Sequence, residues 1–236
     1  MERRNKTIIL AIVLLFFLFI ATIAVTLNLY PSKTFLNSNS TSIDVLGSTS
    51  YGNVLKEGPF GNTSSKVKIA YIVGVHPLES DAHQAMVNSI TEHNNSLKYC
   101  YYIYRVNVTE NADNYNIGRM NGQLLANKFV VPDIEKQNFQ LAIDVHSNVG
   151  NWAETRFIFS PVNGTKAESI GMNIKSKLPW LAYYVPPDPT SPSYVTIPLI
   201  NTGTPAIVYE TYHNDSSTMI KNHADEFLVA VDNLTI

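Results

Sequence analysis

The sequence predicts an α/β fold: a mixed, mostly parallel central sheet with helices on both faces, preceded by one transmembrane helix. Three observations point there. The runs VKIAYIVGV (67–75), FQLAIDVHS (139–147) and TPAIVYETY (204–212) are continuously apolar up to their ends, as strands buried on both faces are. Segments of helical length and pattern fall between the strand-like runs, and alternation of this kind builds a mostly parallel sheet covered on both sides. Ahead of all of them, residues 8–30 carry no charge across 23 positions, and about 20 apolar residues span a bilayer as a helix.

The elements follow in chain order. Residues 1–7 hold Arg3, Arg4 and Lys6 against Glu2, so the positive-inside tendency places this end in the cytoplasm and the rest outside. A cleaved signal peptide is the competing reading of 8–30, but its apolar stretch is shorter, about 7–15 residues. Seven N-x-[ST] tripeptides start at Asn39, Asn62, Asn94, Asn107, Asn163, Asn214 and Asn233, all beyond the anchor, as on a glycosylated exterior face. Residues 31–66 are rich in Ser, Thr, Asn and Gly with no recurring bulky positions, which reads as a flexible stalk. The folded domain is then 67–236. Within it, 81–95 reads as a helix with Ala85, Met86 and Ile90 on one side. Residues 97–108 are β-rich, 116–131 helical, 156–160 a short strand and 165–178 a helix. A Pro-rich loop occupies 185–193, and 216–234 forms a closing helix.

Composition excludes several functions. Net charge is −2 and the pI is near 6.3, with no basic patch to attract nucleic acid. Cys100 is the single cysteine, so an intramolecular disulfide and a thiolate zinc site are both excluded, and a buried thiol is expected. No G-x-S-x-G elbow and no phosphate loop occur. Ser147 cannot pair with His146, because neighbours on a strand face opposite sides. Covalent catalysis is therefore discounted.

In open α/β sheets, ligands bind outside the carboxyl ends of the strands. Those ends carry His76 and Glu79, then Asp144, His146 and Ser147, then Glu210. Alone, His76 and Glu79 read as an ordinary pair of turn residues. With His146 they make two imidazoles and a carboxylate, a donor set that suits zinc and leaves a fourth position open. Glu210 is then the carboxylate able to take a proton from water and return it to a leaving amine. His83, His93 and His223 read as helix-face residues, and Trp152 and Trp180 as packing.

HPLE (76–79), DVHS (144–147) and YET (209–211), in this order and strand context, resemble the zinc carboxypeptidase superfamily. That superfamily includes the carboxypeptidase A type and the succinylglutamate desuccinylase/aspartoacylase type. The short interval from Glu79 to His146 is nearer the second, and the resemblance covers about residues 67–236. It implies zinc on His76, Glu79 and His146, with Glu210 as general base and then acid. It also implies an arginine that polarises the carbonyl or grips a substrate carboxylate, a task suited to a guanidinium. Arg119 is the candidate, with Asn121 beside it. No Asn-Arg dipeptide follows as a carboxylate clamp, which puts strict C-terminal specificity in doubt and leaves Arg156 for that role. Asp144 is expected to orient the segment holding His146, and Ser147 to offer its backbone or hydroxyl near the ion. Of Tyr209 and Tyr212, which flank Glu210, one is expected in the core; Tyr209 is placed among the substrate contacts. The expected protein is a membrane-anchored, outward-facing zinc hydrolase. It would cleave an amide bond near a carboxylate in a peptide, an N-acyl amino acid or cell-envelope material. The rival is a non-catalytic surface module of the same fold that binds a ligand or partner.

Overall fold

A computed structural model of the chain describes residues 41–236. The predicted anchor and the first part of the predicted stalk lie outside the described residues. Among those described, no helix is long and apolar enough to cross a membrane.

The strands are β1 (Ser42–Thr49), β2 (Gly52–Gly61), β3 (Lys68–Val73), β4 (Cys100–Val108), β5 (Leu141–Asn148), β6 (Phe157–Phe159), β7 (Ala182–Tyr183) and β8 (Ala206–Tyr212). They form one sheet in the order β1-β2-β4-β3-β5-β8-β6-β7. The central strands β4, β3, β5 and β8 are parallel. β1 and β2 add an antiparallel edge, and β6 runs antiparallel to β8 on the other side. The helices are α1 (Ser80–Glu92), α2 (Tyr115–Leu125), α3 (Val131–Lys136), α4 (Lys166–Lys177), α5 (Thr196–Asn201) and α6 (Ser217–Asp232).

Successive strand residues point to opposite faces, and both faces are apolar. On one, Met86 and Ile90 of α1, Ile174 of α4 and Phe227 of α6 pack on Tyr71, Ile143 and Ile207. On the other, Leu125, Ile134 of α3 and Leu199 of α5 pack on Ile72, Ala142 and Ala206. The predicted α/β architecture is thus the observed one.

The stalk reading needs correction: residues 42–61 form a β-hairpin paired to β4. The folded unit therefore begins well before residue 67. Inward positions of β2 include Lys56, 8% exposed, whose ammonium sits 2.9 Å from Asp133 Oδ2 and 2.6 Å from Gln137 Oε1. It also lies 4.9 Å from the centre of the Tyr102 ring. A lysine satisfied by a carboxylate, an amide and an aromatic face can be buried.

Two glycines fix the approach to the site. Gly74, just past β3, has φ +86°, and a Cβ there would lie 2.0 Å from the carbonyl of Val106. Gly122 lets α2 lie against the same exit, since its Cβ would meet the Val75 carbonyl at 2.0 Å. Together they bring α2 up to the carboxyl end of β3.

Candidate active site

His76 precedes the short turn Pro77–Glu79, which feeds directly into α1. Pro77 opens the turn with its φ already set, and the Glu79 N–H donates to the His76 carbonyl at 3.1 Å. The turn sets the two side chains together, with His76 Nδ1 2.9 Å from Glu79 Oε1. β5 delivers His146, whose Nδ1 lies 2.8 Å from Glu79 Oε2. The Ser147 backbone N–H also donates to Oε2, at 3.0 Å. Arg119 Nη1 donates to Oε1 at 2.8 Å. The two imidazole rings stand 4.3 Å apart, centre to centre.

One donor atom from each of His76, Glu79 and His146 lies within 4.8 Å of the other two, and all three residues are buried. Glu79 holds the set together, its oxygens 2.9 Å from His76 Nδ1 and 2.8 Å from His146 Nδ1, and donors grouped this tightly suit one cation at about 2.0–2.2 Å from each. Electrostatics agree. Burial lowers the His76 pKa to about 4, so its imidazole is neutral, the form that ligates metals. Burial acts to lower His146 too, but Asp144 and Glu79 on either side outweigh it and hold His146 well above its ordinary value. Glu79 is held well below its ordinary value: burial alone would raise it, and the two imidazoles overcome that. The site thus concentrates negative charge around His146, and a proton balances it where a divalent cation also fits. His146 Nε2 is 2.9 Å from Asp144 Oδ2, off the hydrogen-bond line, and that buried nitrogen has no hydrogen-bond partner among the described residues.

Backbone register brings a further carboxylate to the site. His146 of β5 pairs with Glu210 of β8, so both project from one face of adjacent strands. Burial pushes the Glu210 carboxyl up to about 8, with Glu79 and Asp144 adding to the rise and His146 and Asn148 opposing it. Asn148 Nδ2 donates to Glu210 Oε2 at 3.4 Å. Glu210 opens on a cleft of about 1200 Å³, walled by Tyr115, Met120, Trp152, Pro189 and Tyr194, with His213 at the same opening.

Helix α2 starts at Asn114, whose side chain accepts from the N–H groups of Asn116 and Ile117. Its residues 115, 116, 119, 120 and 123 line the cleft, one helical face. That face brings in Arg119 as predicted. It also brings in Gln123, which sequence reasoning missed although it lies at i+4 from Arg119. Gln123 is 2% exposed, and its amide donates to His76 Nε2 and to Thr190 Oγ1, each at 3.0 Å.

Three sequence expectations are corrected. Asn121 falls on the far side of α2 and donates to the Glu110 carbonyl at 3.0 Å. Arg156 does not line the cleft; it is held by Asp215 in a bidentate ion pair and stacks 5.6 Å over the Tyr212 ring. Tyr209 points away from Glu210 by strand alternation and stacks on Phe227 at 3.9 Å, in the opposite core. His83 is a helix-face residue as expected, on the face that packs against the sheet: it is 6% exposed, with Nε2 3.0 Å from the Val145 carbonyl. Asp144 lies where expected, fully buried behind His146.

His83 yields a pH test. Burial lowers its pKa from 6.5 to about 4, so its stabilising effect is complete above about 6.5 and is lost as pH falls toward 4. Between pH 7.5 and pH 5 it should account for about 2 kcal/mol of lost stability. Urea midpoints of wild type and His83→Gln at the two pH values measure this difference. An equal loss in the variant would refute it.

No protein-family model matches the chain, and no curated protein matches its sequence. Solved structures do share its fold. A metallo-carboxypeptidase from Pseudomonas aeruginosa, in complex with (2-guanidinoethylmercapto)succinic acid, matches with a TM-score of 0.53 at 14% identity, over 77% of this chain and 60% of that one. The apo cell shape determinant protein Csd4 of Helicobacter pylori gives 0.54 at 11%, over 77% of this chain and 54% of that one. A candidate metallopeptidase from Shewanella denitrificans gives 0.51 at 13%, over 90% and 87%. The chain thus spans about 60% of the length of the Pseudomonas enzyme, and at these identities the likeness shows the metallo-carboxypeptidase fold.

Proposed function

We propose that this chain is a metal-dependent amide hydrolase, zinc being the ion that its donor set suits. One observation carries the reading: His76, Glu79 and His146 converge, and Glu210 stands beside them on the adjacent strand. His76, Glu79 and His146 would hold the ion. When bound, such an ion polarises a carbonyl and acidifies water. Glu210 accepts a proton from the attacking water as its oxygen adds to the amide carbon. It returns that proton to the departing nitrogen as the C–N bond breaks. One water is consumed, and an acid and an amine are released. Arg119 donates to the carbonyl oxygen as negative charge gathers on it, using N–H groups beyond the one given to Glu79. Asn148 keeps the Glu210 carboxyl aimed into the cleft.

The substrate is a peptide or an N-acyl amino acid. Support comes from the cleft's size and from the fold's solved members, among them H. pylori Csd4 with a bound tripeptide. With Arg156 committed to Asp215, Arg119 is the single Lys or Arg lining the cleft among the described residues. The uncharged run 8–30 and the basic residues before it support an anchor with the catalytic domain outside the cell, where peptides and cell-envelope material are the available substrates.

The test is metal content and hydrolysis on the purified full chain. About one zinc per chain, with cleavage of a peptide or N-acyl amino-acid panel that a chelator abolishes, is expected. Zinc without cleavage would leave a binding module on the same fold. No metal on a folded chain would sink the reading.

A further inference from the structure

Both imidazoles of the site are backed by contacts that end on two adjacent hydroxyls. From His76, Nε2 reaches the Gln123 amide at 3.0 Å, and that amide reaches Thr190 Oγ1 at 3.0 Å. From His146, Nε2 lies 2.9 Å from Asp144 Oδ2, which accepts from Ser191 Oγ at 3.1 Å. Thr190 and Ser191 belong to the loop 185–193, where Pro186, Pro187, Pro189 and Pro192 each fix a backbone φ. Ser191 is 3% exposed and Asp144 fully buried, so water does not substitute readily for these contacts.

The geometry points to Gln123 as a positioning residue for His76, set in place by Thr190. This rests on the metal reading above. The argument is one of proton placement on the ring. His76 Nδ1 faces Glu79 Oε1 and Nε2 faces the Gln123 amide nitrogen, a pairing that requires the tautomer with the proton on Nδ1 and Nε2 accepting. An ion held by Nδ1 requires the other tautomer, with the proton on Nε2 and an acceptor opposite it. A glutamine can meet both needs by turning its amide over: the oxygen replaces the nitrogen toward His76. Thr190 can follow, since a hydroxyl both donates and accepts. A carboxylate would serve only the tautomer with the proton on Nε2. An apolar side chain would serve neither.

The experiment measures zinc affinity of the full chain by competition with a chromophoric chelator, for wild type, Gln123→Leu, Gln123→Glu and Thr190→Val. Gln123→Leu should weaken zinc about 10–100-fold, the usual cost of losing an outer-shell partner of a ligating histidine. Gln123→Glu should bind zinc as tightly as wild type or more so, because it keeps the acceptor for Nε2–H. A purely space-filling role would give the opposite, since a buried carboxylate disturbs packing more than leucine does. Wild-type affinity in Gln123→Leu, or an equal loss in Gln123→Glu, would overturn the proposal. Should Gln123→Leu fail to fold, Thr190→Val decides: weaker zinc is expected, and unchanged affinity overturns it. No zinc on the wild type would instead refute the metal site itself, a result distinct from all of these.

Discussion

Replacing Glu210 with Gln should lower kcat by about 10²–10⁴-fold, the range for loss of a general base, while zinc content stays at that of the wild type. The change is isosteric and leaves the Asn148 contact a partner, so the β8 backbone and the cleft keep their form. What it removes is the capacity to take a proton at the stage when water adds to the carbonyl. In barrier terms the loss is about 3–5 kcal/mol. Because Glu210 is not one of the three converging donors, metal binding and substrate affinity should change little, so KM is expected within a few-fold of wild type. Steady-state kinetics with metal analysis on the same sample measure both. A variant retaining more than a tenth of wild-type kcat would remove Glu210 from the role. A variant that lost its zinc would assign Glu210 to the ion instead.

His146→Ala should abolish stoichiometric zinc binding and destabilise the fold together. The first effect follows from removing one of three donors and should exceed the 10–100-fold that outer-shell changes cost. The second follows from charge. His146 lies between Glu79 and Asp144, within 2.8 Å and 2.9 Å of their oxygens. Without it, two buried carboxylates face each other with Arg119 the single cation at hand. Removing one member of a buried ionic cluster costs about 3–5 kcal/mol. His146→Gln, which keeps polar atoms toward both carboxylates, should recover part of the stability and none of the stoichiometric zinc. Denaturant midpoints beside metal content separate the two effects. Equal zinc in wild type and His146→Ala would exclude His146 as a ligand.

The strands that carry the chemistry were legible because β3, β5 and β8 are buried on both faces and write this as unbroken apolar runs with polar ends. The hairpin was not. β1 is largely exposed, and the inward side of β2 presents Lys56 and two glycines where a strand pattern needs bulky apolar residues. Lys56 is tolerated there only because Asp133 and Gln137, about eighty positions later, meet its ammonium. No local pattern contains that information. Arg156 was misjudged for the same reason: its partner Asp215 lies 59 residues on. Gln123 was passed over because a neutral amide carries no charge or ligand signature. Placing Arg119 on a helix and stepping four residues along its face would have found it. Tyr209 was recoverable by alternation alone, since Glu210 and its neighbour cannot share a face.

The last strand in the chain is not the last in the sheet. β8 is inserted between β5 and β6, so a growing polypeptide that has completed β7 still has an open seam through its middle. Until residues 206–212 emerge, the edge of β5 stays unpaired, and an unpaired buried-type edge invites wrong partners. The three converging donors are already synthesised at residue 146, whereas Glu210, the proposed base, arrives only with that closing strand. A chain interrupted after β7 would therefore hold every candidate ligand and lack Glu210, so the proposed site is complete only when the seam closes.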